Sequence, residues 1–359
     1  MGNWWRRLII VPVVLISVLM FGGATAFAEG DFVIDDEGYL IEYRGHDEVV
    51  VIPDTVEVIG HFAFSDNEDI IEVIIPDGVE VIGPGAFSSC TNLEKVEMPD
   101  SVTMMWELAF SLCDSLKSIR LSENLESIEQ RTFEYCTSLE EIVIPGSVEY
   151  IEMYAFYECT GLKKVMICEG VTDIRQYAFQ ACKGIESLDI AGSVIYIGEW
   201  AFSFLYSLKE LKLNDGIAII GPSAFSNCES LEELWIPDSV ILINLYAFEG
   251  CESLKRVKLS NGLDEIAEGM FWCCTSLEKV IMPKELRGIK ESAFEECTDL
   301  KSIQIPDTVE YIENSAFKNC VNLEEVNIPE NLEEIGEGVF EGCEKLGDVQ
   351  IPDDVGIRL

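Results

Sequence analysis

The chain has 359 residues, and 66 acidic against 24 basic side chains give it a net charge of −42 at neutral pH. Such a surface repels nucleic acid and anionic lipid, which excludes both as partners. Regularly spaced hydrophobic residues, 48% of the total, exclude a disordered acidic tail as well.

The chain opens on "MGNWWRR", then the apolar run "LIIVPVVLISVLM", then the small-residue site "ATAFA" ahead of Glu29. That order is the layout of a secretory signal peptide, expected over residues 1–28. The apolar core before Gly22-Gly23 is shorter than the ~20 residues that a bilayer span needs. Cleavage is therefore expected, with no membrane insertion afterwards and an extracellular or bacterial cell-surface location. Loss of Arg6 and Arg7 with the leader makes the chain two charges more negative.

From residue 54 to 359 the chain repeats itself. Phenylalanines recur every 23 residues from Phe64, Phe87 and Phe110 through to Phe340, thirteen in all, without a slip in register. A fixed period of this length with Leu-x-x-Val-x-Ile in each unit predicts a leucine-rich repeat solenoid, one stacked array of about 13 repeats. In "LEEIVIP" (139–145), Leu139, Ile142 and Ile144 point inward, and Pro145 ends the strand because it cannot donate to a ladder. "GSVEYI" is expected to turn the chain while burying Val148 and Ile151. "YAFYEC" is expected to make a short helical turn that lays Ala155 and Phe156 on the core. The expected fold is thus an α/β repeat solenoid shaped as a horseshoe. Its concave face is a parallel β-sheet roughly 60 Å long, at ~4.8 Å per strand, and short helical turns form its convex side.

These residues resemble the BspA-like leucine-rich repeat family of bacterial surface and secreted proteins, whose unit looks like C-x-x-L-x-x-V-x-I-P-x-x-V-x-x-I-x-x-x-A-F. The likeness covers about residues 40–355. "DDEGYLIEYRGHDEVVVIP" (35–53) resembles the β-hairpin that opens such arrays, which places an N-terminal cap at 29–53. The resemblance implies an exported, non-catalytic protein that binds molecules of a host or neighbouring cell.

A second period lies inside the first. The residue after each unit's Leu alternates in sign through eleven repeats, from Glu94, Lys117, Glu140 and Lys163 to Lys301 and Glu324. Stacking brings opposite charges together there, each pair contributing ~0.2–1 kcal/mol. The strand-ending proline follows the same rhythm, so the underlying unit is a duplicated pair of 46 residues.

Eleven of the thirteen cysteines stand three residues after the repeat Phe, with Leu205 and Asn67 filling the two remaining places. An odd column that a Leu interrupts is expected to be buried thiol packing rather than disulfides. No Cys-x-x-Cys occurs, and no metal site or cofactor is expected. Neither nucleophile elbow, phosphate loop nor zinc-type His pair is present, so no catalytic residue is assigned and no enzyme is expected.

The three x positions of Leu-x-x-Val-x-Ile line the concave face, and across thirteen repeats they hold 12 basic and 14 acidic residues. This near-neutral face is where a protein or glycan ligand is expected. Trp235 stands outward in its central column between Lys212 and Lys258, with Lys209, Lys255 and Arg256 alongside. An exposed Trp among cations has the composition of a binding hot spot, so these six residues are the candidate ligand site. The other functional class is a structural, self-assembling coat. It draws on "EKLGDVQIPDDVGIRL", which stops within a fourteenth unit and offers its last coil for self-association.

Overall fold

The computed structural model describes residues 27–352 and 355–358. Most of the expected leader, 1–26, lies outside them. Its last two residues, Phe27 and Ala28, fall in the strand Phe27–Glu29, which pairs antiparallel with Phe32–Ile34.

Each 23-residue coil contributes three stacked layers. The Leu-x-x-Val-x-Ile segment forms the first sheet, entirely parallel, from Val49–Val51 to Glu325–Val326 in three hydrogen-bonded stretches. Its register advances by one repeat per strand, as in Glu141↔Lys164 and Val143↔Met166. Ile142 and Ile144 are buried while Glu141 and Val143 face solvent, the alternation that strand geometry imposes.

The segment expected only to turn contains a second strand. Tyr150–Ile151 pairs in parallel with Ser127–Ile128 on one side and Asp173–Ile174 on the other. The same two-residue strands continue along the array and end at Gly356–Arg358. At the N-terminal end Phe32–Ile34 and Tyr39–Tyr43 form an antiparallel hairpin, and Tyr39–Tyr43 then runs parallel to Val58–Ile59.

The third layer corrects the sequence reading, because the described residues contain no helix. In "YAFYEC" the backbone amides alternate in their partners. Tyr154, Phe156 and Glu158 donate to Gln176, Ala178 and Gln180 of the next coil at 2.7–3.1 Å. Ala155, Tyr157 and Cys159 donate three residues back within their own coil at 3.1–3.2 Å. An α-helix would use these amides within itself and leave none to tie coil to coil. The alternation is made possible by left-handed residues two before and two after each Phe, such as Tyr154 at φ 60° and Glu158 at φ 57°. The layer is a ladder of overlapping β-turns.

Between the three layers runs the core. The thirteen phenylalanines form an unbroken stack, with neighbouring ring centroids 4.7–5.8 Å apart and nearly parallel planes. Tyr43 and Phe32 of the hairpin extend the stack beyond Phe64. The eleven column cysteines are buried, and all thirteen cysteines are free thiols. Each column thiol donates to the carbonyl of the Phe one coil earlier, as in Cys159 Sγ to Phe133 O at 3.0 Å. A small apolar group with one weak donor therefore fills the space and also gives that carbonyl a hydrogen bond, at Phe133 a second one beside the Cys136 amide. Burial pushes the Cys136 and Cys159 thiols well above their ordinary range, which keeps them protonated for this bond.

Candidate functional site

The six candidate residues all reside on the solvent face of the first sheet, on the strands Glu210–Leu213, Glu233–Trp235 and Arg256–Lys258 and beside them. Alternation fixes their direction: Leu211, Leu234 and Val257 take the core positions, leaving Lys212, Trp235 and Lys258 on the other face. Trp235 is 52% exposed. Its indole Nε1 donates to Glu233 Oε2 at 3.4 Å, and Lys258 is its partner across the strand pair. Lys209, Lys212 and Trp235 line one depression of about 660 Å³, together with Asp189, Glu210, Glu232 and Glu233. Lys255, Arg256 and Lys258 occupy the next strand and do not line it.

The electrostatics differ from the expected ring of available cations. Lys209 pairs with Glu186 at 3.1 Å, Lys212 with Asp189 at 2.8 Å and Lys255 with Glu232 at 3.0 Å. Arg256 pairs with Glu233 at 3.6 Å, and Lys258 reaches Asp238 at 4.0 Å. Lys212 in turn holds the Asp189 carboxyl below its usual range. Every candidate cation thus has an acidic neighbour, and the patch is an indole set in alternating charge. The sign alternation of the sequence sets Glu186 and Glu232 beside Lys209 and Lys255, as the structure has them; it was followed down one column only, and the same test on neighbouring columns finds Asp189 and Glu233.

The alternating column itself pairs in one direction. Lys117 contacts Glu94 at 2.6 Å and Lys163 contacts Glu140 at 3.4 Å, and Lys209 and Lys255 likewise reach back to the coil before. Each pair joins the two coils of one 46-residue unit. Other exposed apolar side chains on the strands of this sheet are Val49, Val51, Val143, Met166 and Ile281. Among the described residues no cluster of His, Cys, Asp or Glu side chains is arranged to hold a metal ion. Among the described residues no helix is long and apolar enough to cross a membrane.

A further group of rings was not anticipated. On the turn ladder Tyr154 stacks on Tyr177 at 4.7 Å and 4°, while Arg131 covers the Tyr154 ring at 4.7 Å. Tyr157 stands edge-on to Tyr154 and to Tyr135. Tyr135, Tyr154 and Tyr177 have left-handed backbones, a costly conformation for bulky residues. Ring stacking between coils offsets that cost.

The pattern of the BspA type leucine rich repeat region matches in six copies, over residues 46–163, 126–241 and 218–347. Among solved structures, a leucine-rich repeat protein from Bacteroides ovatus is 30% identical, covering 90% of this chain and 91% of its own, with a TM-score of 0.66. A leucine rich cell surface protein from Faecalibacterium prausnitzii is 25% identical over 93% of this chain and 94% of its own, with a TM-score of 0.51. The pneumococcal vaccine antigen PcpA is 19% identical over 93% of each chain, with a TM-score of 0.51, a likeness of fold alone. No curated protein matches the chain. With the stacked coils, the Phe and Cys columns and six matched copies spread over residues 46–347, the chain belongs to the BspA-type leucine-rich repeat family.

Proposed function

We propose that this protein is a secreted or cell-surface recognition module, without catalytic activity, whose first sheet binds a protein ligand at the groove beside Trp235. The observation that carries this reading is the indole itself. In thirteen repeats the central outward column holds one large aromatic, and its ring is half exposed where the other coils place charged, amide or aliphatic side chains. The surrounding ion pairs favour a protein over an acidic glycan, because alternating charge is met by alternating charge. Membership of a family whose relatives include a leucine rich cell surface protein supports the location and the binding role. A self-assembling coat would set copies of net charge −42 against each other, and no observation favours it.

The test is a pull-down of surface proteins from neighbouring or host cells with the mature chain, followed by affinity measurement on the captured protein. Trp235→Ala should weaken binding by ~2 kcal/mol or more, the loss typical of a hot spot. It should leave the fold intact. Lys212→Glu with Lys258→Glu should slow association, more so at low salt. Gln304→Ala, farther along the same column, should change nothing. Equal affinity for all four proteins would place the ligand elsewhere.

A further inference from the structure

The repeat supplies its own comparison. A side chain that the fold needs returns in every coil, so a departure confined to a few coils has another cause. The position seven residues before each stacked Phe lies on the outside of the second sheet. It is acidic or hydroxylated from Glu57 to Thr172, and it is charged again from Asp264 to Glu333. Three consecutive coils between them carry Ile195, Ala218 and Ile241.

These three are neighbours: Ala218 N donates to Ile195 O and Ile241 N to Ala218 O, each at 2.9 Å. Beside them Tyr196, Ile219 and Leu242 pair in register. Leu245 adds a further aliphatic group where the adjoining coils have Pro222 and Glu268. Ile241 is 61% exposed and Ile195 is 51% exposed, with Leu242 and Leu245 also exposed. A contiguous apolar patch on so acidic a protein is a surface held open for a partner.

The rim indicates the partner's chemistry. A depression of about 620 Å³ adjoins Ile241, Leu242 and Leu245 and is walled by Asp264, Glu265 and Glu268 of the next coil. Asp264 and Glu268 form no ion pair among the described residues. The two cations that reach this depression are engaged, Arg287 by Glu310 at 2.9 Å and Lys290 by Glu265 and Glu313 at 3.4 Å each. An aliphatic floor with a carboxylate wall complements aliphatic side chains flanked by Lys or Arg. A second copy of the chain would bring the same carboxylates and the same net charge against it.

We propose that this patch on the second sheet is a separate docking surface for a protein segment that carries aliphatic side chains beside basic ones. It lies on a different sheet from Trp235 and does not depend on the reading of that groove.

The experiment uses the full mature chain and two fluorescent synthetic peptides, one alternating Leu and Lys and one alternating Leu and Glu. Ile195→Thr and Ile241→Glu together restore residue types that other coils carry at this position, so the fold should persist, checked by an unchanged circular dichroism spectrum and thermal midpoint. The wild-type chain should bind the Leu/Lys peptide about tenfold or more tightly than the double variant, and should not bind the Leu/Glu peptide. Trp235→Ala should bind as wild type does. Equal binding of the Leu/Lys peptide by wild type and double variant would overturn the proposal, as would equal affinity of wild type for the two peptides. A wild-type dimer in sedimentation that the double variant abolishes would also overturn it, in favour of a contact between copies.

Discussion

Replacing Phe156 with Ala removes one ring from the middle of the stack, where Phe133 lies 5.2 Å away on one side and Phe179 lies 4.8 Å away on the other. The ring is fully buried, so the loss combines its transfer term with the cavity left behind, about 3–5 kcal/mol. Two stacking contacts, each ~0.5–1.5 kcal/mol, are part of that figure. Phe156→Leu keeps most of the volume and loses both stacks, so about 1–2 kcal/mol is expected. Phe340 offers the comparison, because it stacks on Phe317 alone at 5.7 Å and is only partly buried. Phe340→Ala should cost less than half as much as Phe156→Ala. Urea unfolding followed by circular dichroism gives the ranking. Hydrogen exchange should locate the loosening in the coils next to the substitution, since a solenoid's contacts are between neighbours. Equal losses at 156 and 340, or a loss below ~1 kcal/mol at 156, would refute the claim that the stacked rings carry the array.

Three further outcomes are expected. Labelling of Cys136 and Cys159 should be slow in the native protein and complete after unfolding, and regular disulfides found by mass spectrometry would overturn the packing account. Deleting 140–185 keeps a Glu one coil before every Lys near the junction, whereas deleting 140–162 sets Lys163 beside Lys117. The single deletion should be less stable by up to ~1 kcal/mol, since these exposed pairs are individually weak, as read from the two unfolding midpoints. Burial raises the Glu129 carboxyl above its ordinary 4.5, so the folded state binds its proton more tightly than the unfolded chain does. Stability is therefore given up as the pH rises from that ordinary value through the raised one, and the deficit persists at neutral pH. Glu129→Gln should raise the thermal midpoint at neutral pH and lose that advantage below the ordinary carboxylate range, with an equal gain at both pH values counting against it.

What the sequence made legible follows what the repeat enforces. Phe156, Cys159, Ile142 and Ile144 return every 23 residues because each coil must bury the same face, and a strict period reveals such positions directly. The strand Tyr150–Ile151 was not legible, because two residues are too few to show an alternation. The turn ladder was misread as helix because its left-handed positions carry Tyr154 and Glu158 where Gly would have signalled a turn. At the candidate site the outward direction of Trp235 was readable from strand alternation, and so were the pairs of Lys209 with Glu186 and of Lys255 with Glu232, which belong to the alternating column. The contact of Lys258 with Asp238 was not, because Asp238 lies beyond the strand and outside the repeating columns. The apolar patch at Ile195 and Ile241 hides for the opposite reason, since it departs from the period that organised the reading.

The groove beside Trp235 is the central functional claim, and contact chemistry tests it most directly. A photo-crosslinking benzoylphenylalanine is placed at Trp235 in one mature chain and at Gln304 in another, and each is irradiated on intact partner cells. The account predicts a discrete protein adduct from position 235 and none from position 304. Adducts of equal yield at both positions, or at 304 alone, would contradict it.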